Sequence, residues 1–529
     1  MRLALSVFLL SLFIFPAFSQ EEDGTDAPPY AAPQEEAGEA LPPHIAAGEG
    51  AVFVINYFHF DISGRTRPFA ILNALEIALG QEIQGYEGLL FFIAEKEQLL
   101  VNERLFNRAD LAYSVGAPDA AGRFPLDLFF TIEDTWNIIV LPRPNYSSNT
   151  GFELSLSGRD YNFLGTMHPL RLDLTYRRDT QGRSSFEFLW DSDTPFVALG
   201  LNWRFIFLTG FEYRVDSDAP VHFLNTTGLA ADLPLGGTTL TLGFTESFIY
   251  NDENTDRDAP IFGDYQMGFY MSSMPFASWE IPTGVEAWRF GDLVYTAHVA
   301  GVFNHAFSRW PLAENRVGPF LVFGHSLGFE RIDWIGNFRH GGGLYLENSY
   351  NHDFHLSGRG RAALNVYTAA TATGHYALGG RAGVSARLMF RHWHYRDFNF
   401  NDEAGNAIRG ILDRSLTASK MLSLNLDFPV RVLDFTPSVW TGNPRLRFFD
   451  FEMHISPIVD FAIFQDPLNG ISFDISNTVI GYGFELMFFP AAMRSIYVRI
   501  SFATNFSSHL RESPGAGDSE LFFGLRHHF

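Results

Sequence analysis

The sequence predicts a mainly β protein, an antiparallel transmembrane β-barrel preceded by one small α+β domain. Three observations predict it. Aromatic residues make up 16% of the chain, with 55 Phe, while charged residues are only 18% and mean hydropathy is −0.01. Apolar side chains are therefore spread by alternation rather than gathered in blocks. After the first nineteen residues no run reaches the roughly 18 apolar residues that a helix needs to cross a bilayer. From Tyr146 onward, segments of about ten residues alternate in polarity between turns and polar loops, the pattern of strands that face lipid on one side and a lumen on the other.

Each element follows in order. Residues 1–19 read as a signal peptide: Arg2 leads an apolar run that ends Ala17-Phe18-Ser19, so the mature chain is expected to start at Gln20. Residues 20–50 are rich in Glu, Asp, Ala and Pro and carry no Lys or Arg, as in a disordered acidic linker or interaction tail. Residues 51–145 change character. A strand over Val52–Asp61 and a turn at Gly64-Arg65-Thr66 lead into Pro68–Leu79, whose Phe69, Leu72, Leu75 and Leu79 recur at helical spacing before Gly80. Leu89–Phe106 reads mostly as a second helix, and Leu111–Val115 and Leu126–Glu133 as strands. Residues 146–529 form the barrel. Twelve candidate strands start near Gly151, Leu170, Ser184, Val197, Val221, Thr238, Asp264, Leu293, Pro319, Gly342, Gly360 and Gly380. Five more follow at Met421–Phe428, Phe451–Phe461, Thr478–Phe488, Ile496–Phe502 and Glu520–Phe529. The absence of Cys excludes disulfides, thiol catalysis and lipoprotein anchoring. A net charge of −23 argues against nucleic acid as a partner.

Between the two sets of strands lies Gly405–Val430. A tetrad, Ile408-Arg409-Gly410-Ile411, sits in a polar loop, and the strand after it puts Leu422, Leu424, Leu426 and Phe428 on one face and Ser423, Asn425 and Asp427 on the other, before Pro429. The barrel entry reads Ser148-Asn149-Thr150-Gly151, then Asp160-Tyr161-Asn162-Phe163-Leu164-Gly165-Thr166. The chain ends on a strand with a terminal Phe529. These stretches resemble the BamA/TamA superfamily of outer-membrane assembly factors, the bacterial surface antigen family. Ile411 stands where an aromatic residue is usual, Asp427 for Glu, Ala462 for Gly, and His527 in an aromatic slot. The β-α-α-β-β order of residues 51–145, with Gly64 after the first strand and Leu99–Phe106 in the second helix, resembles a single POTRA domain.

The resemblance implies sixteen strands, eleven before the loop and five after it, one fewer before the loop than the twelve read above. It implies a loop folded back into the lumen, with Arg409 anchored on Asp460 of Phe451–Phe461, the second strand after it. It also implies a weak seam between the first and last strands, around Gly151, Phe152, Phe522, Gly524 and Phe529, whose open edge templates a client strand. The implied function is insertion or translocation of proteins, or of lipids, at the outer membrane of a two-membrane bacterium. The implied partners are the outer-membrane bilayer, unfolded outer-membrane or secreted clients, and periplasmic proteins that reach the POTRA-like domain. No cofactor or energy source is expected. A two-partner-secretion pore for one dedicated protein is the alternative, and a passive porin or surface antigen a third reading.

Competing signals are weaker. Gly324-His325-Ser326-Leu327-Gly328 matches a nucleophile elbow and Arg339-His340-Gly341-Gly342-Gly343 an oxyanion loop, but the first alternates straight through as a strand and the second lies downstream of the serine. No enzyme is expected. His392-Trp393-His394 and the C-terminal His527-His528 lack metal-ligand spacing. Trp203, Trp288 and Trp310 suit interfacial girdles.

Overall fold

A computed structural model of the chain describes residues 51–135, 137–147, 151–215, 221–253, 265–286, 291–306, 312, 317–355, 364–395, 402–403, 407–411, 416–467, 469–491, 497–506 and 519–525. The signal peptide and linker, Trp288, Trp310 and Phe529 lie outside the described residues. The chain divides into two compact units. One comprises the described part of Met1–His59 with Ile77–Lys96 and Leu111–Phe130; the other comprises Phe60–Glu76, Glu97–Asp110 and Thr131–Phe529.

The α+β region runs β1 (Val52–Ser63), α1 (Pro68–Leu75), β2 (Glu82–Gln84), α2 (Tyr86–Glu103), β3 (Phe106–Val115) and β4 (Phe124–Asp134), with its strands in one sheet ordered β2-β1-β4-β3. Leu126, Leu128, Phe130 and Ile132 alternate on β4 and are all buried, which is the period-2 pattern of a half-covered sheet. Pro68 sits in the first turn of α1, where its missing N–H is no loss. The helix ends at Leu75, short of the expected Leu79, because Glu76 turns left-handed (φ 54°) and its N–H closes back on Asn73. The short β2 carries too few residues to show a period.

All other long strands form one closed antiparallel barrel. They are β5 (Ile138–Ser147), β6 (Gly151–Asp160), β7 (Leu170–Arg178), β8 (Ser184–Ala198), β9 (Leu201–Arg214), β10 (Val221–Leu235), β11 (Thr238–Glu253), β12 (Tyr265–Glu286), β13 (Asp292–Ala306), β14 (Phe320–Ile335), β15 (Phe338–Asp353), β16 (Leu364–Leu378) and β17 (Ala382–Tyr395). After two short segments, β18 (Asp402–Glu403) and β19 (Thr417–Ala418), come β20 (Lys420–Asp427), β21 (Val430–Phe435), β22 (Phe451–Gln465), β23 (Val479–Pro490), β24 (Val498–Asn505) and β25 (Ser519–Leu525). Pro429 interrupts β20 and β21, which both pair with β17 and β22 and so make one stave. The ring's nineteen strand segments are therefore eighteen staves.

The expected sixteen is thus corrected to eighteen. All twelve strands read before the loop exist, and all five after it. Seventeen strands cannot close an antiparallel cylinder, because the last would run parallel to the first. The missing stave is β5, so the barrel starts at Ile138 rather than Tyr146. Its sequence hid it: Pro142 and Pro144 remove two ladder donors, which in a linear reading argues for a linker.

An even count returns both ends of the barrel to one rim, the rim of the tight turns such as Ile335–Phe338. Along the wall, Leu174, Phe244, Phe323 and Phe502 are exposed on the outer face, while Asp173, Thr245, Ser501 and Ala503 are buried on the inner one.

Candidate functional site: a loop tip clamped to the inner wall

The connection from β17 to β20 begins at the other rim and folds inward. At its base β18 and β19 pair, Asp402 with Ala418 and Glu403 with Thr417, and Thr417 Oγ1 donates to Asp466 Oδ2 at 2.9 Å. The tip then crosses the wall along a row of register partners. Asn425, Asp460, Gly481 and Asn505 lie side by side on β20, β22, β23 and β24. Each meets a successive part of the tip. Asn425 Nδ2 donates to Ala407 O (2.9 Å), Asp460 accepts from Arg409, and Asn505 Nδ2 donates to Gly410 O (2.9 Å). Gly481 holds the place where a Cβ would lie 2.0 Å from Arg409 O. Gly410 itself has φ 88°, and a Cβ there would lie 2.6 Å from Thr504 O. Two glycines, one in the loop and one in the wall, allow the two backbones to touch.

Arg409 is the centre of the electrostatics. Its backbone N–H and Nε donate to Asp460 Oδ2 at 2.8 and 2.9 Å, and Nη2 to Oδ1 at 2.6 Å. Nη1 reaches Asp427 (2.5 Å) and Glu485 (3.1 Å). Asp460 is 1% exposed. Three carboxylates round one guanidinium would repel one another, and Arg499 offsets part of this by donating to Glu485, which also accepts from Ser501 Oγ. Arg387 Nε binds Asn425 Oδ1 at 3.2 Å, fixing that amide. Apolar packing completes the clamp. Ile408 and Ile411 are buried with Met389, Met421, Ala462, Phe464 and Val479.

The Arg409–Asp460 pairing expected from the resemblance is thus present, within a larger cluster. Glu452 stays out of it, 3.3 Å from His454 Nε2 and 3.7 Å from Arg431. Sequence reasoning missed Gly481, Glu485, Asn505 and Glu520, and placed Asn425 on the polar face of its strand without a role. Parity held the signal, since Glu485, Arg499, Ser501 and Asn505 all fall on lumen-facing positions of their strands.

The seam needs correction. The last strand does not meet β6. Among the described residues it meets β5 at Phe522↔Ser147 and Phe523↔Tyr146. Gly151 and Phe152 therefore lie one stave away from the closure, where β6 pairs with β5 along its whole length, from Ile138↔Asp160 to Ser147↔Gly151. On the β25 side pairing does not continue to Gly524 and Leu525, though Asn145 and Pro144 lie in register opposite them. Pro144 has no N–H to give. Phe522 faces inward beneath the Arg499 guanidinium, 5.2 Å from its ring centroid, and Gly524 is buried beside Asn145. Gly410 N–H donates to Glu520 Oε2 (3.2 Å), so the loop tip reaches the last strand.

The other motifs do not assemble. Gly324–Gly328 lies wholly within β14 and His340–Gly343 within β15, paired with one another's strands, so no strand-turn-helix elbow forms. The rings of His392 and His394 are 4.0 Å apart and His394 Nε2 contacts Thr368 Oγ1 at 2.8 Å. Trp203 is half-buried and donates from Nε1 to Ala198 O (2.9 Å) at the tight-turn rim.

No protein-family model and no curated protein matches the chain. Among solved structures, it is similar to BamA from Haemophilus ducreyi lacking POTRA domains 1–3, at 10% identity over 90% of this chain and 84% of that one, with a TM-score of 0.38. It is also similar to CdiB from Acinetobacter baumannii, at 12% identity over 90% of this chain and 74% of that one (TM-score 0.42). A third similar structure is CdiB from Escherichia coli, at 9% identity over 92% of both chains (TM-score 0.36).

Proposed function

We propose that the protein is an outer-membrane barrel that inserts or secretes protein clients through the β5–β25 seam, with the α+β region in the periplasm. The observation that carries the reading is the contrast between seam and wall. Among the described residues, β5 and β6 are paired along their whole length, whereas β5 and β25 meet at Phe522↔Ser147 and Phe523↔Tyr146. Between apolar lipid chains every strand N–H and C=O needs a partner, so an under-paired edge is a template for an incoming strand. The exposed outer band of Phe, Leu and Trp supports a bilayer setting. The clamped tip supports a regulated lumen, because a passive pore needs no residue held on three carboxylates. The α+β region fits a POTRA-like role, with β3 at the free edge of its sheet for strand addition. No covalent chemistry is assigned.

Secretion of one dedicated protein is the second reading. It is favoured by the charged inner wall of β6 and β7, where Arg159 pairs with Asp173 (2.7 Å) and Arg177 with Glu153 (3.3 Å), a charged surface along which a chain can slide. Depletion followed by quantitative outer-membrane and secretome proteomics separates the readings. Broad loss of barrel proteins means insertion, and loss of one exported protein means dedicated secretion. No change in either fraction would leave the protein without a client and sink both.

A further inference from the structure

The two edges of the seam are held by different anchors, and the one on the β5 side centres on Asp134. This residue ends β4, just ahead of β5. Its carboxylate accepts from the Arg65 and Thr66 backbone N–H groups (2.7 and 3.1 Å), from Thr66 Oγ1 (2.6 Å) and from Asn162 Nδ2 (3.3 Å). Asn162 is fully buried; it also donates to Thr66 Oγ1 (2.6 Å) and accepts from Met167 N–H (2.9 Å). Arg65 closes the circuit with two hydrogen bonds to Asp160, the last residue of β6 (2.9 and 3.2 Å), and Arg67 N–H donates to Gly165 O (2.9 Å). Glycines mark the closest approaches. A Cβ on Gly64 would lie 2.3 Å from Asp134 Cγ, and one on Gly165 would lie 2.0 Å from Arg65 O. Three segments distant in the chain are thus locked into one polar knot with its buried donors paired.

Its position gives the knot a mechanical meaning. β5 and β6 leave it together, and Tyr161 N–H to Asn137 O (2.9 Å) extends their ladder almost to Asp134. On the opposite edge, β25 is tied through Glu520 to Gly410, whose carbonyl also holds Asn505 on β24. We infer that turn Gly64–Arg67, Asp134 and the hairpin Asp160–Met167 form a lever that carries β5 and β6 as one body. The seam then parts between β5 and β25, not between β5 and β6, and the position of the turn sets how far. This rests on the reading of the seam as the working edge, but its test needs no client.

The chain has no Cys, so engineered pairs report cleanly. Residues opposite each other in adjacent strands lie within disulfide reach. Tyr146→Cys with Phe523→Cys spans β5–β25, and Asn145→Cys with Glu153→Cys spans β5–β6. Oxidation rates are compared in full-length protein with Asp134 intact, in Asp134→Ala, and in the milder Asp134→Asn, which stands in if the alanine variant does not fold. The expected result is a several-fold slower Tyr146/Phe523 cross-link in the Asp134 variants with the Asn145/Glu153 cross-link unchanged. Asn102→Ala, which removes a contact to Asp333 on β14 (3.0 Å) far from the seam, should change neither. Equal slowing of both pairs would show that β5 and β6 do not move as one body. Unchanged rates at both would show that Asp134 does not hold the seam. Either result overturns the inference, whatever the proteomics show about clients.

Discussion

Arg409 presents a planar fork of donors that no other side chain reproduces, and the wall answers with Asp460, Asp427 and Glu485. Removing different members should therefore do unequal damage. Arg409→Ala leaves three carboxylates, two of them buried, facing one another and should destabilise the docked loop by about 3–5 kcal/mol, less where the lumen is wet. Asp460→Ala removes the fork's main partner but leaves Arg409 two carboxylates, so its effect should be smaller. In the double variant the losses should fall short of additive. Limited proteolysis of the loop in folded barrels measures all three, and strict additivity would show that the two residues do not interact. Arg409→Lys should resemble Arg409→Ala more than wild type, since one ammonium cannot span three acids. The glycine facing the loop gives a second prediction. Gly481→Ala forces a methyl group into Arg409 O, an overpacking that costs about 1–3 kcal/mol. The loop should become protease-sensitive while the barrel keeps its heat-modifiable mobility on gels. Continued protection of the loop would mean the backbones can separate without consequence.

At the scale of elements, β5 decides how tightly the cylinder shuts. Its prolines withhold two N–H groups, and among the described residues pairing with β25 ends at Tyr146, short of Pro144. Pro144→Val restores a donor and a β-favouring side chain. The seam ladder should lengthen and the temperature at which the barrel loses its folded mobility should rise; an unchanged transition would show that the proline does not limit closure. This strand is also where the sequence misled. Every stave with regular alternation was legible, and the faces of β20 were read correctly down to Asn425 and Asp427. What failed was local: two prolines carry a linker's signature whether or not the ladder around them is complete on the other side. The loop tip was legible through the resemblance carried by the tetrad and the strand that follows it, whereas Gly481 and Asn505 were silent. A glycine or an asparagine on a strand becomes meaningful only when register brings it opposite something.

At the scale of the whole molecule, the loop tip and the wall of β17 and β20–β24 divide the lumen. The packing of Ile408, Ile411, Leu416 and Phe464 fills that side with side chains, while β6 and β7 line the lumen with the ion pairs Arg159–Asp173 and Arg177–Glu153. Apolar contacts help hold the tip, and the charge cluster sets its conformation, because Arg409 is what lets Asp427, Asp460 and Glu485 share a small volume. Arg409→Glu inverts that condition. A fourth carboxylate would have to sit among three others within hydrogen-bonding distance, and like charges at such spacing repel strongly in a low-dielectric site. The tip should leave the wall while the barrel, whose ladders do not involve it, stays closed. Purified protein in planar bilayers should then show larger and noisier single-channel conductance than wild type. Conductance equal to wild type, in a preparation that still shows heat-modifiable mobility, would mean that the lumen is closed by something other than this loop. The charge cluster would then serve only to position β25 through Glu520.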